Sequence, residues 1–223
     1  MADTGFANAA GETIVRAMIV AIQENAKDLS AIDGAIGDGD HGINMAKGFT
    51  LCAERLAASP GSFTDALGTL GQVLVTEIGG AMGPLYGTLF EEMAAAGRGE
   101  QTITAETVGR MLSGARAAVM DLGGAQVGDK TMVDVLSPAT DAYAGRLAAG
   151  AGFAACLAAM AAAAEQGRES TRGLVAKLGR ASRLGERSRG VLDAGASSCA
   201  LLLVTMARAM TGMLTGDRPP SPR

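Results

Sequence analysis

Apolar side chains recur along this chain at intervals of three and four residues, the spacing that is typical of amphipathic helices. In the first such stretch, residues 11–29, the pattern places Ile14, Met18 and Ile22 on one face and polar side chains opposite. The same pattern predicts seven more helices, over residues 43–58, 62–78, 84–97, 104–124, 130–149, 152–167 and 195–214. No stretch is convincing as a strand and no repeat has a fixed period, so we expect an all-α chain of eight helices.

Several predicted helices carry recognisable end signals. Ser62 with Asp65 three residues later is typical of a capping box, and Thr104 has the side chain of an N-cap. Pro84 suits a first helical turn, and Gly97 suits the residue after a helix end. Glycines also recur inside the helical patterns, where they weaken a helix but allow a neighbouring one to approach closely. We therefore expect close helix–helix contacts at Gly68, Gly71, Gly87, Gly109 and Gly114.

The composition favours closely packed helices over sheets. Of the 223 residues, 48% are hydrophobic, yet only 3% are aromatic and tryptophan is absent, whereas sheets are rich in aromatic and β-branched residues. The length suits one domain, which we place at residues 1–215 because no linker-like stretch interrupts it. Residues 216–223 are polar and proline-rich and are predicted to be a disordered tail.

Charge and cysteine usage indicate a soluble cytoplasmic protein. The net charge of -4 argues against nucleic acid or an anionic membrane as the main partner. Cys52, Cys156 and Cys199 fit neither a zinc spacing nor a disulfide framework, and are expected to be buried, reduced thiols. Residues 147–164 are long enough to span a bilayer, but they are mostly alanine and glycine and predict a packed helix. The first residues include an acid where a secretory signal needs basic residues, so no such signal is expected.

The stretch "DGAIGDGDHGIN", residues 33–44, is the strongest chemical signal between two predicted helices. It contains Asp33, Asp38, Asp40 and four glycines. Oxygen ligands suit Mg²⁺ and Ca²⁺, and three acids in one short loop would repel one another without a cation. An EF-hand is excluded, because counting from Asp38 puts Phe49 at the position of its last ligand. The acids could serve only to cap and turn the chain, but a metal site is favoured.

His41, the only histidine, follows these acids directly at the start of the second predicted helix. Its ring could contact a phosphate or merely form a capping hydrogen bond, and a role as catalytic base has no support. Asn44 lies one helical turn further and could face the same site. Because the N–H groups at a helix start attract phosphate oxygens, this loop is suited to a metal-bound phosphate.

Three further loops have unusual composition. Glycines precede the fourth helix at Gly79, Gly80 and Gly83, where backbone N–H groups could cradle a phosphate. The segment "GGAQVGDKTMVD" suggests a Walker A loop, but Asp129 separates its glycine from its lysine, and no strand precedes it. The last loop is rich in arginine and could be either a solvated basic face or a polyphosphate clamp. Its arginines are Arg172, Arg180, Arg183, Arg187 and Arg189.

Four motifs in this order resemble the nucleotide-binding L subunit of dihydroxyacetone kinase. They are "IGDGDHGINMAKGF", "GGAMGPLYGTLF", "GDKTMVDVLSPA" and "RLGERSRGVLDAGASS", and the resemblance covers nearly the whole chain. It implies an eight-helix antiparallel barrel with the nucleotide site in loops at one end. It further implies that ADP or ATP binds with two Mg²⁺ ions, which Asp33, Asp38 and Asp40 hold.

The resemblance also implies roles for individual residues. Phosphate contacts fall on His41, Gly42, Ile43 and Asn44, and contacts to the nucleotide on Ala81 and Met82. Contacts to the base or sugar fall on Gly123 and Met132, and the site is closed by Arg180, Asp193, Ala194 and Gly195. This chain departs from the family pattern at Met82, where the family usually has serine. The substitution removes a possible hydroxyl contact to phosphate and adds bulk. No other catalytic residue is assigned.

The function implied by the resemblance is half of a kinase. A separate K subunit holds dihydroxyacetone, and this chain delivers the phosphoryl group. Two versions of the enzyme stay open. In one, ADP stays bound as a cofactor and is rephosphorylated by a phosphohistidine protein of the phosphotransferase system. In the other, ATP exchanges freely as a substrate. The substrate could also be a related keto-sugar such as erythrulose. The chain could form a homodimer. The alternative functions are a non-catalytic nucleotide-sensing subunit that binds a transcriptional regulator, and a purely structural helical adaptor.

Overall fold

The computed structural model describes residues 5–216. The predicted disordered tail, residues 216–223, therefore lies outside the described residues except for Gly216. Within the described part the chain forms eight α-helices, as predicted. They are α1 (Glu12–Ile36), α2 (His41–Ala58), α3 (Phe63–Glu77), α4 (Met82–Ala96), α5 (Ala105–Gly123), α6 (Val133–Ala148), α7 (Phe153–Ser170) and α8 (Ala194–Thr215).

The prediction that the chain contains no strand was wrong in one detail. Strand β1 (Phe6–Ala7) pairs with the antiparallel strand β2 (Thr102–Ile103), with Phe6 opposite Ile103. Two residues are too few to show the alternating pattern by which a strand is recognised in a sequence. Segments of 3₁₀ helix complete the described part, at Asn8–Ala10, Thr171–Gly173 and Arg180–Ser188, and the last is kinked at Gly185, where φ is 54°.

The eight helices form a closed ring. Each helix packs against the next one along the chain, and α8 packs against α1, so the first and last helices complete an antiparallel barrel. The apolar faces of all eight helices meet in one core, whose largest fully buried side chains include Tyr86, Tyr143, Phe49, Phe63 and Phe90. This arrangement confirms the predicted fold, and it brings alternate helix–helix connections to the same end.

The predicted helix ends are confirmed where a side chain caps the backbone. The Ser62 hydroxyl accepts a hydrogen bond from the Asp65 N–H at 3.2 Å, and the Asp65 carboxylate accepts one from the Ser62 N–H at 3.0 Å. Thr104 accepts from the Thr107 N–H at 3.3 Å, which caps α5. These reciprocal bonds satisfy N–H groups that a helix start leaves without an intrahelical acceptor.

Helices α3 and α4 approach closely at the glycines that the sequence singled out. A Cβ atom on Gly71 would lie 2.9 Å from the Gly87 carbonyl oxygen, and one on Gly87 would lie 3.0 Å from the Gly71 carbonyl oxygen. The expectation is therefore confirmed for this pair. It does not hold for Gly114, where the nearest atom to an added Cβ is 4.0 Å away.

Helix α1 continues seven residues beyond its predicted end, and this corrects the placement of Asp33. The predicted loop began at Asp33, but α1 runs on to Ile36, so Asp33 lies in its last turn. Ile22, Leu29 and Ile36 are seven residues apart on one face and all buried. Their packing outweighs the cost of roughly 1 kcal/mol that Gly34 imposes inside a helix.

The cysteines and the apolar segments behave as parts of a folded core. Cys52, Cys156 and Cys199 are buried and free, as predicted. Residues 147–164 do not form one helix, because the end of α6 and a turn precede α7. Among the described helices, α8 alone has the length and composition to cross a membrane, and half of its most apolar window is buried in the fold. Its packing against α1, α6 and α7 is that of a core helix.

Candidate functional site

A cavity of about 820 Å³ lies at the end of the barrel where the α1–α2, α3–α4, α5–α6 and α7–α8 connections meet. Its wall includes thirteen of the fifteen residues predicted for the site. These are Asp33, Asp38, Asp40, His41, Asn44, Ala81, Met82, Gly123, Met132, Arg180, Asp193, Ala194 and Gly195. Loops far apart in the sequence thus converge on a single pocket.

Gly42 and Ile43 do not line the cavity. Gly42 packs against α1 so closely that a Cβ atom there would lie 2.6 Å from the Ser30 hydroxyl oxygen. The Ile43 side chain is 65% exposed. Both residues belong to the first turn of α2, whose N–H groups lack intrahelical acceptors. Any contact that they make with a ligand in the cavity must therefore come from the backbone.

The three aspartates form a compact cluster at the polar end of the cavity. One oxygen each from Asp33, Asp38 and Asp40 lies within 4.8 Å of the others. Asp33 comes from the end of α1 and Asp40 precedes the first residue of α2, so the short turn between these helices folds the acids together. Gly39 in this turn is left-handed, with φ of 78°. Three carboxylates at this separation fit a hard divalent cation such as Mg²⁺.

Arg180 lies against the same carboxylates. Its guanidinium group pairs with Asp38 and with Asp40, the latter at 3.4 Å. All three side chains are partly exposed, so the ion pair remains accessible to water. Arg180 begins the 3₁₀ helix Arg180–Ser188, which contacts α1. The arginine-rich loop therefore brings one of its arginines to the cluster of acids.

His41 is tied to the barrel by its ring. Its Nε2 atom lies 2.8 Å from the Ser198 hydroxyl, and that hydroxyl lies 2.7 Å from the Tyr86 hydroxyl. Tyr86 also donates to the carbonyl oxygen of Gly195 at 2.9 Å. Burial lowers the pKa of His41 despite the nearby Asp33 carboxylate, which favours the neutral ring. The ring thus joins α2 to α8, and Tyr86 extends the connection to α4.

The starts of four helices line the cavity, those of α2, α4, α6 and α8. The His41 N–H donates to the Asp33 carboxylate at 3.3 Å, and further N–H groups of these first turns point beyond the helices. Gly80 is left-handed with φ of 73°, which turns the chain into α4. The Met82 side chain lines the cavity and packs partly against the core. Aligned helix starts make this end of the cavity attractive to anions.

Asp193 caps α8 at the edge of the cavity. Its carboxylate accepts a hydrogen bond from the Ala196 N–H at 2.7 Å. Burial raises the pKa of Asp193 to about 6, although this hydrogen bond and the Lys130 ammonium both oppose the increase. Asp193 is therefore a partly buried acid whose charge is costly, in contrast to the more exposed Asp38 and Asp40.

Comparison with known proteins agrees with this geometry. Residues 35–208 match the DAK2 domain. The chain belongs to the DAK2 domain family. It is 40% identical over 186 residues to the ADP-binding subunit DhaL of PEP-dependent dihydroxyacetone kinase 1 from Listeria innocua, covering 83% of this chain and 88% of the relative. It is 37% identical over 182 residues to the corresponding subunit from Escherichia coli, covering 81% of this chain and 87% of that one.

A solved structure has the same fold as this DAK2 domain. Dihydroxyacetone kinase from C. freundii, in complex with AMP-PNP and Mg²⁺, superimposes with a TM-score of 0.66 at 23% identity. The match covers 89% of this chain and 33% of the solved one, so this DAK2 domain spans about a third of that enzyme. At this identity the likeness shows the fold alone.

Sequence reasoning missed two groups of residues that line the cavity of this DAK2 domain. The first is apolar and includes Leu85, Leu122 and Leu178; within a helical pattern such residues cannot be told from core positions. The second is Lys130, which the sequence suggested only as part of a rejected Walker A loop. Its left-handed backbone, with φ of 62°, explains why α6 begins at Val133 and not at Lys130 as predicted.

Proposed function

We propose that this DAK2 domain is the ADP- or ATP-binding subunit of a phosphotransferase that phosphorylates dihydroxyacetone or a related keto-sugar. The observation that carries the proposal is the convergence of three carboxylates within 4.8 Å, beside helix starts, at one end of a nucleotide-sized cavity. Both relatives described above are ADP-binding subunits of dihydroxyacetone kinases. We expect the chain to act in the cytoplasm as a single domain over residues 1–215.

The cavity suits a nucleotide in size and in the distribution of polarity. Small-molecule sites commonly enclose roughly 300–1,000 Å³, and this cavity encloses about 820 Å³. We assign the base and sugar to the apolar wall near Gly123 and Met132, which also includes Leu85 and Leu122. We assign the phosphates to the polar end, where the starts of α2, α4 and α8 present their N–H groups. The phosphate-contacting residues are then His41 to Asn44, Ala81, Met82, Arg180 and Asp193 to Gly195.

Asp33, Asp38 and Asp40 would hold magnesium, and we propose two ions. Magnesium, when bound, neutralises charge on phosphate oxygens and favours their transfer. The chain's own contribution is to fix the acids at the α1–α2 turn and to place Arg180 beside them. As a forked cation, Arg180 can bind phosphate oxygens while it remains close to the carboxylates.

The chain contributes positioning and charge, with no covalent intermediate of its own. Phosphoryl transfer depends mainly on holding the reacting groups in line and stabilising the charge on the equatorial oxygens. The Nε2 atom of His41 is engaged by the Ser198 hydroxyl, so we assign this ring the role of holding the helix start in place. The helix starts of α2 and α4 supply N–H donors that need no reorganisation.

The keto-sugar is proposed to bind to a separate K subunit, which docks at the mouth of the cavity. Both relatives belong to PEP-dependent kinases. We therefore favour the version of the enzyme in which ADP stays bound and is rephosphorylated by a phosphohistidine donor protein of the phosphotransferase system. In that version the nucleotide is a cofactor, and its release is much slower than turnover.

Calorimetric titration with ADP tests this proposal. The nucleotide-stripped protein is titrated with and without Mg²⁺, beside Asp38→Asn and the control Asp28→Asn, which changes an exposed acid of α1. We expect magnesium-dependent binding that Asp38→Asn weakens at least about tenfold, because a carboxylate ligand is lost, while the control binds as the unmodified protein does. Absence of ADP binding to the unmodified protein would contradict the proposed function.

A transfer assay tests the division of labour between subunits. Dihydroxyacetone phosphate should form from dihydroxyacetone only when this chain, a K subunit and a phosphoryl donor are combined. Formation by this chain and ATP alone would show that the substrate binds here. Tight nucleotide binding without transfer in the complete mixture would favour the nucleotide-sensing subunit instead.

A further inference from the structure

We propose that Lys130 is a positioning residue that clasps both ends of residues 172–190, here called the arginine segment, and thereby holds Arg180 over the metal-binding acids. The effect on the nucleotide rests on the function proposed above. The effect on the arginine segment itself does not, since it concerns only contacts within the chain.

The clasp consists of two hydrogen bonds from one buried ammonium group. Lys130 Nζ donates to the carbonyl oxygens of Thr171 and Val191, each at 2.5 Å. These are the residues immediately before and immediately after the arginine segment. Lys130 is 1% exposed and Thr171 is fully buried, so the Thr171 carbonyl cannot readily exchange the lysine for water, whereas Val191 is partly buried. One side chain from the α5–α6 connection thus fixes both ends of a long loop.

The two ends of the arginine segment are also joined to each other. The Gly190 N–H donates to the Arg172 carbonyl oxygen at 2.8 Å, and the Asp193 N–H donates to the Thr171 hydroxyl at 3.1 Å. The segment therefore leaves the barrel and returns to it through one narrow base. Lys130 lies at this base and comes from a different part of the chain, so it attaches the whole base to the cavity wall.

Asp129, the residue before Lys130, makes a second attachment to the arginine segment, at Lys177. The Asp129 carbonyl oxygen accepts a hydrogen bond from the Lys177 N–H at 3.1 Å, and the Asp129 carboxylate pairs with Lys177 Nζ at 2.9 Å. Lys177 lies three positions before Arg180, whose guanidinium group reaches Asp38 and Asp40. The contacts thus form a continuous path from Lys130 to the acids.

The backbone of Lys130 supports a role for its side chain. Its φ of 62° lies in the left-handed region, which glycine and asparagine adopt more readily than lysine. If the left-handed turn were the only requirement at this position, glycine or asparagine would meet it without a long cationic side chain. Burial lowers the pKa of Lys130, and the Arg189 and Arg172 guanidinium groups act in the same direction, whereas the Asp193 and Asp134 carboxylates oppose the shift. Two of its three N–H groups are committed to the carbonyl oxygens, which distinguishes this lysine from a free phosphate ligand.

Limited proteolysis without nucleotide tests the clasp itself. The arginine segment contains exposed trypsin sites at Arg183 and Arg187. Lys130→Met keeps the apolar stem but leaves the Thr171 and Val191 carbonyls unpaired, and we expect it to increase cleavage after Arg183 and Arg187 about tenfold. Lys27→Met, which changes an exposed lysine of α1, should cleave as the unmodified protein does. Unchanged cleavage in a folded Lys130→Met protein overturns the proposal.

Folding of the variant is verified by circular dichroism and thermal unfolding. If Lys130→Met does not fold, Lys130→Gln replaces it, because its amide can still donate to one carbonyl. An increase in cleavage within residues 172–190 again supports the clasp, and no increase overturns it.

A double-mutant comparison of ADP release tests whether Lys130 acts through Arg180. In the presence of Mg²⁺, Lys130→Met and Arg180→Met should each accelerate release. The protein carrying both substitutions should release ADP at the rate of Arg180→Met alone, because the clasp has nothing left to position. Effects that multiply would mean that Lys130 contacts the nucleotide directly, which overturns the proposal. If the unmodified protein binds no ADP, the proposed function fails, and the proteolysis experiment still decides whether the clasp exists.

Discussion

His41 and Ser198 meet across the cavity end of the barrel, with 2.8 Å between the imidazole Nε2 atom and the hydroxyl oxygen. His41 is the first residue of α2, Ser198 is the fifth residue of α8, and the two are 157 positions apart in the chain. The two helix starts that we assign to phosphate binding are therefore held at a fixed separation. Tyr86 shares the Ser198 hydroxyl and connects the start of α4 to the same pair.

The first prediction concerns the titration of His41. Burial lowers its pKa below the ordinary 6.5, so the unfolded chain binds this proton more readily than the folded one. His41 should contribute stability that is fully present above pH 6.5 and is lost as the pH falls through the lower, folded pKa. Because His41 is the only histidine, NMR can follow its ring protons without ambiguity. The urea-unfolded protein is the control, and a folded pKa at or above 6.5 contradicts the prediction.

The second prediction concerns the contact between α1 and α2. A Cβ atom on Gly42 would lie 2.7 Å from the Ser30 backbone nitrogen and 2.6 Å from its hydroxyl oxygen. Gly42→Ala must therefore push the start of α2 away from α1, and we expect it to lower the free energy of unfolding by about 1–3 kcal/mol. Chemical denaturation measures the change.

Gly145→Ala is the matched control, because Gly145 is exposed on α6 and an added Cβ there meets no described heavy atom within 4 Å. It should raise the free energy of unfolding by about 0.5–1 kcal/mol, since alanine favours a helix more than glycine does. Equal effects of the two substitutions would show that Gly42 is not required for close packing.

Local signals predicted the fold well because the helices are individually amphipathic and some of them carry a side-chain cap. Ser62 with Asp65, and Thr104, mark helix starts through bonds to residues three positions away, so a short stretch of sequence suffices to recognise them. The end of α1 was misplaced for the opposite reason. Whether Asp33 is helical depends on Leu29 and Ile36 packing against other helices, and the neighbouring glycines favoured a loop.

Most residues predicted to bind the nucleotide line the cavity, but the contacts that arrange them were not foreseen. The acidic motif is contiguous, so a short loop alone indicates that its carboxylates converge. The bond of His41 to Ser198 and the bonds of Lys130 to Thr171 and Val191 join residues that are 41 or more positions apart. Nothing in either local sequence specifies its partner, and only the closed barrel brings them together.

The third prediction concerns the buried charge of Asp193. Burial raises its pKa from 3.8 to about 6, so the folded chain binds this proton more readily than the unfolded one. The resulting stability is fully present below pH 3.8 and is lost as the pH rises through 6. Asp193→Asn removes the charge, and asparagine remains a good N-cap for α8. Above pH 6 the variant should therefore be more stable than the unmodified protein, by up to about 3 kcal/mol.

Urea unfolding of both proteins at pH 4.5 and pH 8 measures this difference. The advantage of Asp193→Asn should be large at pH 8 and much smaller at pH 4.5. The contribution of His41 is common to both proteins and cancels in the comparison. Asp121→Asn, which changes an exposed acid of α5, should show no such pH dependence. An advantage of equal size at both pH values would mean that the Asp193 charge is not the cause.

The fourth prediction concerns Met82, the position at which the resemblance in the sequence implies serine. Met82 is the first residue of α4, lines the cavity and packs partly against the core. Met82→Ser introduces a hydroxyl group at a helix start that we assign to phosphate binding. We expect it to raise the affinity for ADP with Mg²⁺ about three- to tenfold, which corresponds to one added hydrogen bond.

Met82→Ala separates the hydroxyl group from the loss of bulk, because it shortens the side chain without adding a donor. If the serine variant binds ADP more tightly than the alanine variant, the hydroxyl group contacts the ligand. If the two variants bind equally well and both exceed the unmodified protein, only the bulk of Met82 opposes binding. If the unmodified protein binds most tightly, the methionine makes a favourable apolar contact with the nucleotide. In that case apolar packing of Met82 against the nucleotide takes the place of a hydroxyl contact, and the expectation that Met82→Ser raises the affinity for ADP is wrong.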